Sequence, residues 1–251
     1  MNRSVSFQTA PMTAAVKWLL ILNVGIWFLF QVIVEGLLRV PFSSFFQLYP
    51  GKVLFDFHIW QLFTYMFLHS SQVTHILFNM LMLWFFGGEL EQKWGTKYFL
   101  FFYFGSGIGA AILYCLSIWG YAAGTGSQTG LIVPVMGASG AIFGLLLAQG
   151  ILFGERVMYF FMVFPMKNKY FVAIMGFVQL ASMMTSSISG GGEVAYLAHL
   201  GGLVSGFLLL KLRSSMDFGR LKSKPLTKGK GRNLRLVVDN EKEEKPPKYW
   251  N

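Results

Sequence analysis

Six runs of apolar residues, each long enough to cross a bilayer, recur through the chain and leave few alternatives for its fold. A helix needs about 20 mostly apolar residues to span the hydrocarbon, with roughly 17 to 25 tolerated. The runs cover residues 14–34, 60–86, 98–119, 136–153, 170–187 and 194–212. Unpaired backbone groups are costly in lipid, so each run has to be helical. Composition leads the same way: of 251 residues, 54% are hydrophobic and only 13% charged, too little charge to cover a soluble globule. The expectation is an all-α, polytopic membrane protein. A short segment 1–13 precedes a six-transmembrane-helix bundle over 14–212, and a tail follows over 213–251.

Basic residues set the expected orientation. An even number of spans puts both termini on one side. With the N-terminus inside, 19 Lys and Arg face the cytoplasm, and Arg39 and Lys52 face out. Twelve of the 19 lie from Lys211 onward; without them the ratio is still seven to two. The apolar run after Lys17 lacks a small-residue cleavage site and reads as a retained first span. The tail reads as cytoplasmic, disordered and basic, a topology anchor that residues 211–235 extend toward anionic headgroups. The net charge of +10 belongs mostly to this tail, so no nucleic-acid partner is expected. The single cysteine, Cys115, sits in an apolar run and excludes a disulfide framework; no metal or other cofactor is expected. Absence of an Arg-rich transit segment suggests a bacterial plasma membrane.

The polar residues inside these runs carry the chemistry, because strongly polar groups in a span are costly and are functional candidates by default. Ser139 lies in Gly137-Ala138-Ser139-Gly140, at the entry to the fourth run. Gly140 and Gly144 share a helix face there and admit a close neighbour. His199 precedes Gly202 and Gly206, which repeat that spacing in the sixth run. Two glycine-faced helices would bring Ser139 and His199 into hydrogen-bond reach, a nucleophile and its base. No acid is near His199 in sequence, Glu193 in a loop being the closest, so a dyad fits better than a triad. His75 and Asn79, four apart, share a face in the polar outer half of the second run. With the Ser139 backbone amide they are the available donors for an oxyanion. Phe143, one turn beyond Ser139, is placed to pack on His199. His69, about 120° round the helix from His75, reads as structural.

These residues resemble the rhomboid family of intramembrane serine proteases. The resemblance rests on Gly-x-Ser-Gly at 137–140, Ala-His-x-x-Gly-x-x-x-Gly at 198–206 and His75-Ile76-Leu77-Phe78-Asn79, in matching order and spacing over about residues 16–212. It implies a rhomboid-like bundle with Ser139 and His199 as catalytic dyad, His75 and Asn79 at the oxyanion, and Gly137, Gly140, Phe143 and Gly202 in support. It also implicates the fifth span and the loop after it in substrate entry, with Gly190-Gly191-Gly192 as hinge or cap. The chain departs from many members at Phe143, where tyrosine is frequent, and in lacking the Trp-Arg pair of the first outer loop.

The expected activity is endopeptidase cleavage of transmembrane protein substrates, in contact with the lipid bilayer. A serine below the outer surface meets a substrate helix only where that helix unwinds, since a helix keeps its carbonyls bonded. A catalytically silent relative that escorts membrane clients would be free to lose Ser139, His199, His75 and Asn79. A transporter would carry polarity through the full depth of the membrane, whereas here it stops near Asn79. The first outer loop, residues 35–59, is rich in phenylalanine and is expected to lie partly in the outer leaflet. The fifth run, with Gln179 and Ser182 as its main polar residues, reads as a peripheral, lipid-facing helix. Oligomeric state is left open by the sequence.

Overall fold

The computed structural model describes residues 10–160, 164–185 and 192–223. The chain divides into two units, Met1–Arg213 and Ser214–Asn251. Among the described residues of the first unit the regular elements are helices and one strand hairpin. Helix α1 (Ala14–Ile26) continues into a π-helical stretch, Trp27–Leu37, and the short helices α2 (Ser43–Phe46), α3 (Pro50–Phe55) and α4 (Gln61–Thr64) follow. A 3-10 turn, Tyr65–Phe67, leads to the long helices α5 (Val73–Trp94) and α6 (Thr96–Thr125). After α7 (Thr129–Ile132) comes α8 (Ser139–Leu152). Strands β1 (Val157–Phe160) and β2 (Phe164–Lys167) pair antiparallel, and α9 (Asn168–Thr185) and α10 (Gly192–Ser223) complete the order.

Three helical stretches, Ala14–Leu37, Val73–Trp94 and Thr96–Thr125, are long and apolar enough to cross a membrane, and Ser139–Leu152 is a shorter apolar helix. Large apolar side chains point outward along them: Trp18, Phe28, Leu77, Phe85, Phe101 and Leu116 are all exposed. An exposed belt of this kind is stable only against lipid. With its apolar exterior and helical core, the molecule is an integral membrane protein.

The core lies where α8 meets α5 and α6. Tyr65, Leu83, Phe99, Tyr103, Tyr114 and Leu145 are buried in it. Gly95, at φ +77°, separates α5 from α6, a left-handed turn that only glycine adopts cheaply. Beside that turn, Glu91 accepts hydrogen bonds from Thr13 Oγ1 (2.5 Å), the amides of Ala15 (3.0 Å) and Val16 (3.1 Å), and Thr96 Oγ1 (2.7 Å). The carboxylate thus satisfies donors at the start of α1 that have no partner in their own helix. Lys93, two residues on, lies over the Phe153 ring, 5.2 Å from its centroid.

The second helix starts later than its sequence suggested. Residues 60–72 form α4, the 3-10 turn and an extended segment, and the long helix begins only at Val73. The polar run from His69 to Gln72 accounts for this, since its backbone is bonded to other elements and not to a helical ladder. The His69 amide donates to Gln31 Oε1 (2.7 Å), Gln31 Nε2 donates to the His69 carbonyl, and Trp27 Nε1 donates to the Ser70 carbonyl (3.1 Å).

The first outer loop is folded on itself through rings and capped carbonyls. Phe42 stacks on Phe30 at 4.4 Å, and Trp60 Nε1 and Gln61 Nε2 both donate to the Phe45 carbonyl, at 3.0 and 3.1 Å. Trp60 and Gln61 therefore give the loop a fixed conformation without a Trp-Arg pair. Phe45, Phe55, Phe57 and Ile59 remain exposed on it, an apolar face suited to the expected contact with lipid. At the end of α8 that is away from Ser139, Glu155 accepts from Lys167 Nζ (2.7 Å) and Lys169 Nζ. Those two ammonium groups hold its carboxyl down to about 2. The triple glycine proposed as hinge lies outside the described residues except for Gly192, the first residue of α10, and most of the tail lies outside them too.

Candidate active site

Ser139 is the first residue of α8, and the chain reaches it along an extended path. Val135 exchanges two backbone bonds with Leu48, at 3.0 and 2.9 Å, and the Gly137 amide donates to the Tyr65 carbonyl at 2.9 Å. These bonds satisfy irregular backbone that lipid could not. Gly137 has φ +126°, and a Cβ there would stand 3.1 Å from His75 Nε2 and 3.7 Å from Ser139 Oγ. A side chain at this position would be strained by its backbone and would press on the His75 ring. The first bond of α8 runs from the Ile142 amide to the Ala138 carbonyl at 3.1 Å. The amides of Ser139, Gly140 and Ala141 are thus not used by the helix itself and form a positive end suited to developing negative charge.

His199 is brought to the serine by backbone contact between α8 and α10. A Cβ on Gly202 would lie 2.0 Å from the Gly140 carbonyl oxygen, and one on Gly206 would lie 2.8 Å from Gly144 Cα. The glycine faces expected from their spacing do meet. His199 Nε2 lies 2.7 Å from Ser139 Oγ. The imidazole stacks on Phe143, with centroids 4.5 Å apart and planes inclined by 19°, so the phenylalanine retains the packing surface without a hydroxyl.

His75 sits on the other side of Gly137. The Ser70 amide donates to His75 Nδ1 at 3.1 Å, and Ser70 Oγ is also 3.1 Å from that nitrogen. A backbone amide can only donate, so Nδ1 is an acceptor and the proton of the neutral ring is on Nε2. The N–H of His75 is therefore on the atom nearest Gly137. Asn79, buried, donates from Nδ2 to the His75 carbonyl at 2.8 Å, and its Oδ1 has no partner. The structure thus gathers Ser139, His199, His75, Gly137, Gly140, Phe143 and Gly202. One N–H of the Asn79 amide is turned back to its own helix, leaving the other available.

Two contributors were not singled out by sequence. Ser70 fixes the His75 ring, and it is held in turn by Trp27 from the π-helical stretch of the first span. Gln179, from α9, places Oε1 2.8 Å from His199 Nδ1. The signal for Gln179 was present, as a strongly polar residue midway along an apolar helix. α9 is peripheral as expected, exposing Tyr170, Ile174, Phe177, Val178 and Leu180, but Gln179 is buried on the opposite side. His69 is fully buried at a ring distance of 5.3 Å from His75.

The class these observations define is a membrane-embedded helical bundle with a serine and two histidines gathered at the start of one helix. The model of the rhomboid domain matches residues 56–215, well over half of the chain, and the chain belongs to the rhomboid family. It is 33% identical to RHOMBOID-like protein 1 of Arabidopsis thaliana over 186 residues, 72% of this chain and 42% of that protein. It is 35% identical to YdcA of Bacillus subtilis over 157 residues, 60% of this chain and 65% of that one. A shorter stretch of 48 residues is 40% identical to the rhomboid protease GlpG of Salmonella newport, covering 19% of this chain and 17% of that protein. The chain thus spans less than two thirds of the length of each of these relatives.

Proposed function

We propose that this protein is an intramembrane serine endopeptidase that cleaves membrane proteins in or near their transmembrane segments. The observation that carries the reading is the 2.7 Å contact between His199 Nε2 and Ser139 Oγ at the start of α8. His199 takes the serine proton as Oγ attacks a substrate carbonyl, and it then protonates the leaving amine. The oxyanion forms beside the Ser139 amide at the helix end, the His75 Nε2–H and the free N–H of Asn79. Water entering from the outer side completes the second half of the reaction.

The depth of the site supports a membrane substrate. α8 has 14 residues and is about 21 Å long, against a hydrocarbon core of about 30 Å. With its far end at the inner boundary, Ser139 starts roughly 10 Å below the outer one. A substrate has to offer unwound chain at that depth, which favours single-span proteins with a helix-weakening stretch near the outer face and a small residue before the cut. The charge pattern supports placing 1–13 and the tail 213–251 on the cytoplasmic side, which fits six spans over 14–212.

The test is cleavage of a labelled single-span substrate by the purified protein in phosphatidylethanolamine/phosphatidylglycerol vesicles. Wild type is compared with Ser139→Ala and His199→Ala. Loss of cleavage in both variants, with unchanged thermal melting, is the expected result. No cleavage by wild type across a panel of substrates, with clients still bound equally by all three proteins, would replace the reading with an escort function.

A further inference from the structure

A neutral imidazole carries one N–H and one lone pair, and only the lone pair can take a proton. To activate Ser139, His199 must keep its proton on Nδ1 and present Nε2 bare. Something has to favour that tautomer, because the other one turns Nε2 into a donor and leaves the serine without a base. In proteases with a triad a carboxylate on Nδ1 does this, and a side-chain amide takes the place in Cys-His-Asn enzymes. This chain has no acid near His199 in sequence, yet Nδ1 is not idle: Gln179 Oε1 lies 2.8 Å away.

We propose that Gln179 is the positioning residue for His199, so that Ser139 and His199 are held with a third partner and not as a bare dyad. The inference rests on the peptidase reading above and deepens it. A carboxamide oxygen accepts and cannot donate, so Oε1 facing Nδ1 selects the productive tautomer. Two further constraints fix the ring: its face lies on Phe143 and its Nε2 on Ser139 Oγ, from α8. Gln179 supplies the remaining one from α9, and the imidazole is thereby held on two edges and one face. The burial of Gln179 fits this role. A glutamine midway along a helix that otherwise shows apolar side chains outward loses its hydration, and the imidazole N–H supplies a partner in return.

The experiment uses the full chain in the same vesicles, with Gln179→Leu, Gln179→Glu and Ser139→Ala beside wild type. Leucine keeps the volume and removes the acceptor, so kcat should fall by about 10–100-fold, as when the partner that orients a metal-ligating histidine is removed, with KM little changed. Glutamate restores an acceptor and should recover at least ten-fold over leucine. A leucine variant within about two-fold of wild type overturns the proposal, as does a glutamate variant no better than leucine. Imidazole 15N NMR reads the tautomer directly, without requiring turnover. His199 should carry its proton on Nδ1 in wild type and shift toward Nε2 in Gln179→Leu. An unchanged tautomer in the leucine variant overturns the proposal even where cleavage is lost. If wild type cleaves nothing, the peptidase reading fails while the tautomer measurement still decides the role of Gln179.

Discussion

α10 and α9 reach the same imidazole in opposite ways. α10 carries His199 and meets α8 through glycines, so closely that a single methyl group on Gly202 would collide with the Gly140 carbonyl. α9 contributes one side chain, Gln179, from a helix whose outer side is open to lipid. The distance between Ser139 and His199 is thus set by main chain against main chain, where little can adjust. The Nδ1 edge of the His199 ring meets a contact that a side-chain rotation can make or break. Precision in the first contact and adjustability in the second follow from the kind of atoms that meet.

Gly202→Ala tests the rigid side and should have the largest effect. Its methyl group would sit 2.0 Å from a backbone oxygen, so the two helices must part. A displacement on the order of 1 Å at a reacting centre costs about 100-fold in rate. Overpacking also destabilises by roughly 1–3 kcal/mol, to be read as a lower melting temperature in the same vesicles. Near wild-type cleavage would mean that the helices slide freely and that the backbone contact is not what positions His199.

Phe143→Leu tests the contact between the two regimes, where a side chain of α8 supports the ring. Leucine retains an apolar filler but not the stacked face, whose interaction is worth about 0.5–1.5 kcal/mol beyond its area. Cleavage should fall by about 3–10-fold, with melting nearly unchanged. A loss as large as that of Gly202→Ala would place ring stacking on a level with helix packing.

Gly176→Ala in α9 should have the smallest effect and the opposite sign for stability. A Cβ there meets only Leu203 Cδ1, at 3.7 Å, an ordinary contact. Replacing a mid-helix glycine gains about 0.5–1 kcal/mol, so melting should rise slightly while cleavage stays within about two-fold of wild type. A strong loss of activity would show that α9 is packed as tightly as α10, and the contrast between them would disappear.

The difference between the two helices also explains what could be read without coordinates. The glycine pairs at 140/144 and 202/206 predicted a meeting of helices because small residues at i and i+4 have one use in a membrane, and that meeting carries His199 to Ser139. Phe143 on the imidazole followed from one turn of helical geometry. Apolar length located most of the helices, but it misplaced the start of the second one. There the polar run at 69–72 is bonded by Gln31 and Trp27, partners about 40 residues away that no local pattern reveals.

The sequence by itself determined the membrane setting, the helical class and the residue types of the site, because burial in lipid limits both backbone and composition. Tertiary structure alone decided which nitrogen of His75 and of His199 is turned toward Gly137 and Ser139 respectively. Ser70 occupies Nδ1 of His75, and Gln179 occupies Nδ1 of His199. A proton's place on an imidazole depends on what stands opposite the other nitrogen, and that is a property of neighbours in space.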